Sequence, residues 1–320
     1  MIEINKSKIK TWSTIGQRAT FGLVAYEIAN KIKDLIILTC DVSTSAGLDR
    51  FRKNFPENFI ELGISEQNMI GVASALSNEN HKVITTSFAP FQTMRCCEQI
   101  KVNLGYMKQK ITMVGLASGL VLGPLGYTHC CIEDIGVLRS IPNLTIVSPA
   151  DGLELAKTII ASVNHTQSTY IRLTGSSNAP IIYKKDYKFK IGKSVTLKKG
   201  KDIAIFATGS MVKTALDVAE KLEQKNISVA VINVHTIKPI DKSVIKKYLN
   251  SKLIVSIEEH NIIGGLGSAI CEETAKLGKG PKHIFFGIND EYLHHGDYKY
   301  LLQSYGLTPD KIVNKIKKNL

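Results

Sequence analysis

Cysteine and arginine are scarce in this sequence of 320 residues, and long apolar runs are missing altogether. The six cysteines, Cys40, Cys96, Cys97, Cys130, Cys131 and Cys271, include two adjacent pairs but no CxxC. That leaves no pair with zinc-ligand spacing, and in a chain without an export signal it points to reduced thiols. The N-terminal MIEINKSKIK is polar and basic with no apolar stretch behind it, so no secretory signal is expected and the cytoplasm is the default location. No run approaches the roughly 20 apolar residues of a membrane-spanning helix, so no membrane is expected. Arginine is absent beyond Arg172, and the formal charge of +13 is mostly lysine, dense in KKDYKFKIGKSVTLKKGK and at the C-terminus. Without a nucleic-acid-binding motif this reads as solvated surface, able to attract phosphorylated metabolites or an acidic partner, with no nucleic acid expected.

What is present is an ordinary globular composition, 44% hydrophobic and 22% charged, long enough for two domains with cores of their own. Short apolar runs read as strands: DLIILTCDV, KVITTSF, KITMVGLA, LTIVSPA and STYIRL. Helical patterns lie between them, among them ATFGLVAYEIANKI and DGLELAKTIIASVNH. After a Lys-rich stretch the alternation resumes with DIAIFAT, SVAVINV and KLIVSIEE. The expectation is α/β: two domains, each with a mostly parallel sheet flanked by helices, at 1–183 and 202–320 with a linker at 184–201.

Ligands of such sheets bind beyond the carboxyl ends of the strands. That gives weight to CDVSTS, SFAPF and the glycine-rich GLASGLVLGPLGYTHCCIED. Within FIELGISEQN, Ser65 is a plausible helix N-cap, with Glu66 as a first-turn acid favoured by the helix dipole. Glu133 and Asp134 read likewise as helix-start acids. Phe88 and Phe91 flank Pro90 directly after a strand, where they could line a pocket mouth.

The runs ELGISEQNMIGVASAL, TTSFAPFQTMRCCEQIK, GYTHCCIEDIGVLRSIPNLTIVSPADGLE and YIRL resemble, in order, the pyrimidine-binding domain of transketolases. ATGSMVKTALDVAEKL, VINVHTIKPID and VSIEEHNIIGGLGSAI resemble the C-terminal domain of that family. The resemblance implies thiamine diphosphate as cofactor, with Glu66 as the catalytic carboxyl group on N1′ of its aminopyrimidine ring. A carboxyl group in apolar surroundings can share a proton with that ring. Ile64, Phe88, Phe91 and Met94 match cofactor contacts, Met94 standing where some members have a third aromatic. His129 matches the catalytic histidine that touches substrate. Arg18, Ser45, Asp41 and Arg172 match substrate-binding positions, the arginines and the serine on a sugar phosphate.

Two positions depart from sugar-phosphate transketolases: Ala117 replaces a phosphate-holding histidine, and Leu125 an aspartate that reads a donor hydroxyl. No GDG motif of the diphosphate–metal domain occurs. The resemblance therefore implies the C-terminal subunit of a split transketolase, moving a two-carbon ketol unit between a ketose and an aldose. A separate N-terminal-half subunit would hold the Mg²⁺ or Ca²⁺ and the diphosphate of the shared cofactor, in a heterotetramer. The alternatives are the β subunit of a 2-oxo acid dehydrogenase E1 and a non-catalytic partner subunit; deoxyxylulose-phosphate synthase is a further relative, normally with its own GDG.

Overall fold

The structure is a computed structural model and describes residues 2–278 and 280–320. The first half contributes β1 (Leu35–Thr39), β2 (Phe59–Glu61), β3 (Lys82–Phe88), β4 (Ile111–Leu116), β5 (Leu144–Val147) and β6 (Ser168–Arg172). The second contributes β7 (Val195–Lys198), β8 (Ile203–Ala207), β9 (Val229–Asn233), β10 (Thr236–Lys238), β11 (Leu253–Asn261) and β12 (Lys282–Ile288). They form a seven-stranded sheet, β10-β5-β6-β4-β3-β1-β2, and a five-stranded sheet, β12-β11-β8-β9-β7. All pairings are parallel except β10 with β5 and β7 with β9. Helices cover both faces of each sheet, so the central strands are buried on both sides, their polar residues such as Thr85, Thr86 and Thr169 included.

Two observations qualify the expected division. β10 belongs by sequence to the second half yet extends the first sheet, with Thr236 opposite Val147. The stretch 184–201, expected as a linker, holds β7, and its Tyr187 donates to Glu154 of the helix Gly152–Val163 at 2.6 Å. Tyr187 also stacks on Tyr183 with ring centroids 4.1 Å apart. Among the described residues no helix is long and apolar enough to cross a membrane.

The joint between the sheets is partly polar. His260, wholly buried at the end of β11, accepts the Gly136 amide on Nε2 at 3.2 Å and donates from Nδ1 to the Asn261 carbonyl at 2.6 Å. Burial pushes its pKa down to about 4, although Asp134 and Glu258 stand 3.9 Å away. A proton on Nε2 would face the Gly136 N–H. A histidine depressed on folding contributes stability present above its unfolded pKa and lost as pH falls through the folded one. The expected result is that the stability advantage of the wild type over His260→Gln shrinks by about 2–3 kcal/mol between pH 6.5 and 4. Urea denaturation across that range measures it; a constant difference would show that His260 does not titrate with unfolding.

Candidate active site

The site begins where β1 and β2 end. Asp41 follows β1 with φ of 55°, and Glu61 at the end of β2 accepts its amide at 2.7 Å and that of Gly63 at 3.1 Å. One carboxylate thus ties the loop after β1 to the turn that enters the helix Glu66–Asn78. Ser65 does not cap that helix with its side chain; its hydroxyl donates to the Leu62 carbonyl at 2.8 Å. Glu66 follows, turned inward and only 3% exposed. Ser87 donates to its Oε1 at 3.3 Å, and Arg95 to its Oε2 at 2.7 Å. Arg95 lies over the Phe91 ring, 4.1 Å from the centroid. Glu66 is therefore an ion-paired carboxylate rather than an acid among apolar groups alone. Arg95 and Glu61 were not among the expected site residues. Arg95 lies in the turn after the short helix Ala89–Gln92, so helical spacing from Phe91 gives no signal for it.

Phe88, Phe91 and His129 meet at the ends of β3 and the glycine-rich loop. Phe91 and His129 have ring centroids 5.3 Å apart, Phe88 and His129 6.2 Å, and Phe88 and Phe91 6.3 Å, all edge to face. The turn after β3 is fixed from below by Gln92, which accepts the Ser87 amide at 3.0 Å and donates to Thr85 at 2.6 Å. His129 is half-buried, its Nδ1 3.0 Å from the Thr128 hydroxyl. Ile64, two residues before Glu66, and Met94, next to Arg95 in the chain, are exposed at 77% and 38%.

Arg18 is exposed, two residues past a kink at Gly16, and Ser45 is exposed in the loop after β1. The two segments are held together closely: a Cβ on Gly22 would sit 1.9 Å from the Gly47 carbonyl oxygen. Arg18 makes no ion pair among the described residues, which leaves it open to an anion. Arg172 does not join it, which corrects the expectation that it holds substrate. Arg172 is 1% exposed, donates from Nε to Asp134 at 2.9 Å, and from Nη2 to the carbonyls of Glu259 (2.7 Å) and Cys131 (3.2 Å). Asp134 is accordingly more than a helix-start acid: fully buried, it also accepts from Tyr170 at 2.7 Å. Ala117 is buried with φ of 52°, whereas Leu125 is 57% exposed on the loop. The cysteines are all free, and burial pushes Cys40 and Cys130 up to about 11 and Cys96 to about 12, so these are protonated and inert near neutral pH.

The carboxyl edge of an open parallel sheet is where such folds bind small molecules. By fold this is an α/β protein whose carboxyl sheet edge carries a buried carboxylate and a group of rings. Residues 13–179 match the family described as transketolase, pyrimidine binding domain, and residues 192–312 match transketolase, C-terminal domain. The chain belongs to the transketolase family and corresponds to the C-terminal section of its split members. It is 35% identical over 300 residues to one subunit of an apulose-4-phosphate transketolase from Phocaeicola vulgatus, covering 93% of this chain and 95% of that one. It is 33% identical over 297 residues to a 6-deoxy-6-sulfo-D-fructose transketolase subunit from Clostridium sp. strain MSTE9, covering 92% of both. Among solved structures, a split-gene transketolase described as an inactive β4 tetramer superposes with TM-score 0.86 at 32% identity, over 95% of this chain and 98% of that one. The family implies thiamine diphosphate.

An aminopyrimidine ring requires a carboxyl oxygen beside it and apolar groups around it. Oε1 of Glu66 has only the long Ser87 contact, Ile64 stands two residues before it, and Phe91 of the ring group lies under Arg95, the partner of Oε2. The residues fit that end of the cofactor. For the metal-bound diphosphate end, the described residues include no group of three His, Cys, Asp or Glu side chains able to hold a metal ion.

Proposed function

We propose that this chain supplies the pyrimidine-binding half of a thiamine diphosphate site, and that a separate N-terminal-half subunit supplies the metal and diphosphate half. The two together transfer a two-carbon ketol unit from a ketose to an aldose. The observation that carries the reading is Glu66, a buried carboxylate with one weakly engaged oxygen, linked through Arg95 to Phe91 and so to the Phe88 and His129 rings. When bound, the cofactor supplies the electron sink for cleaving the carbon–carbon bond. Glu66 presents Oε1 to the ring nitrogen, with which it would share a proton, and Arg95 keeps the carboxyl group oriented through Oε2. Phe88, Phe91, Ile64 and Met94 exclude water from the pyrimidine. His129 hydrogen-bonds the substrate, while Asp41 and Ser45 line the approach.

Arg18, with Ser45, receives a terminal anion on the sugar. The relatives named for a phosphorylated and a sulfonated ketose support an anionic donor. The β4 assembly described as inactive supports a requirement for the second subunit. Exposed apolar side chains at Ile64, Met94, Val102, Tyr106 and Met107 support a heterotetramer that buries them. Mg²⁺ or Ca²⁺ is held by the partner, and the assembly works in the cytoplasm.

The test mixes this chain with an N-terminal-half transketolase subunit, cofactor and Mg²⁺, and offers ketose phosphates, sulfonated ketoses and 2-oxo acids in turn. Turnover of an anionic ketose with an aldose acceptor is the expected result. Turnover of 2-oxo acids alone would assign the chain to the other branch of the fold. An Arg18→Gln variant in the active mixture raises KM for the anionic ketose by about 10–100-fold, as loss of a charge-assisted contact predicts; an unchanged KM would remove Arg18 from the anion site.

A further inference from the structure

The loop that carries His129 is anchored from the other domain. Gly119 and Cys131 close it at its base through two backbone hydrogen bonds of 2.7 and 2.9 Å. The next amide, that of Leu120, donates to Oε1 of Glu259 at 2.7 Å. Glu259 lies near the end of β11 and is 1% exposed; its Oε2 accepts from Ser210 at 2.6 Å and from Tyr298 at 2.7 Å. The approach is so close that Gly119, at φ of 76°, has no room for a side chain: a Cβ would sit 2.3 Å from Oε1 of Glu259.

The rest of the loop leans on the same domain. A Cβ on Gly123 would meet the Gly296 carbonyl oxygen at 2.3 Å. Tyr127 shares a hydrogen bond with Tyr305 and lies 4.8 Å from the Tyr292 ring. Arg172 joins the two sides, since its Nη2 serves both the Cys131 and the Glu259 carbonyls.

A buried carboxyl group is costly, and the two on β11 serve different partners. Glu258 serves the helix Leu266–Lys276, accepting the amides of Leu266 at 2.6 Å and Gly267 at 2.8 Å. Glu259 spends Oε2 on Ser210 and Tyr298 of its own domain and Oε1 on the contact across the domain joint.

We propose that Glu259 is a positioning residue: through the Leu120 amide it fixes loop 119–131, and with it the His129 imidazole against Phe88 and Phe91. The C-terminal domain thereby takes part in setting the reaction site. The proposal rests on the reading of His129 as the substrate contact.

The test compares Glu259→Gln with Glu258→Gln in the full chain. Both remove a buried charge from adjacent positions of one strand, but only Glu259 touches the loop. Amide hydrogen exchange in 119–131 speeds up roughly tenfold or more in Glu259→Gln and stays within about twofold of wild type in Glu258→Gln. The ring Hε1 NMR signal of His129, assigned by its loss in His129→Gln, shifts or broadens only in Glu259→Gln. Should Glu259→Gln fail to fold, Tyr298→Phe, which removes one donor to the same carboxylate, shows the same changes more weakly. In the mixture with the N-terminal half, Glu259→Gln lowers kcat about tenfold with KM changed less than about threefold. Equal exchange in both variants, or an unmoved His129 signal, would overturn the proposal. A moved signal in a chain that catalyses no transfer in any mixture would leave the positioning intact and overturn the function instead.

Discussion

Glu66→Gln lowers two-carbon transfer by the combined subunits by about 10²–10⁴-fold while leaving the fold in place. Glutamine has the same shape. Its carbonyl oxygen can still accept from Arg95, which donates to Oε2 at 2.7 Å, and its amide can face Ser87. What disappears is the ability to hold and release a proton at Oε1. The substitution therefore separates chemistry from architecture. Thermal unfolding of the variant stays within a few degrees of wild type, and activity collapses. Activity above about a tenth of wild type would show that Glu66 acts only as a helix-start acid held by its ion pair.

Arg172→Leu has the opposite profile, a large loss of stability. Arg172 and Asp134 are 1% and 0% exposed, so removing the guanidinium strands a charge in the interior. Breaking a buried pair in this way costs about 3–5 kcal/mol. The carbonyls of Cys131 and Glu259 lose their shared donor as well. Urea denaturation measures the loss, and the double variant Arg172→Leu with Asp134→Leu recovers part of it because neither charge is then left alone. A residue that held the sugar anion would behave differently: stability would be kept, and KM for the anionic substrate would rise. Such a result would restore Arg172 to the anion site.

These two residues also show where the sequence was readable. β1 and β3 to β6 are runs rich in β-branched residues, and each expected strand overlaps its observed one. β2 was missed inside FIELGISEQN because it has three residues, fewer than a pattern needs to declare itself. β10 was missed because its partner, β5, lies about 90 residues earlier in the chain and the pairing is made at an edge. The glutamate, the two phenylalanines and the histidine were found through motifs that keep local order, and the structure brings the three rings together. Asp134 with Arg172, and Glu259 with Leu120, are contacts between residues 38 and 139 positions apart. Nothing in the local pattern of SIEEH or IEDIG distinguishes a buried, fully partnered acid from a solvated one.

The measurement that tests the account most directly is isothermal titration of thiamine diphosphate with Mg²⁺ into this chain alone, and then into its mixture with the N-terminal-half subunit. The described residues include no metal-binding cluster for the diphosphate, whose charge calls for a cation. Binding in the mixture and none to the chain alone is the predicted result. Tight binding to the chain alone would contradict it, because the whole cofactor site would then lie within these 320 residues.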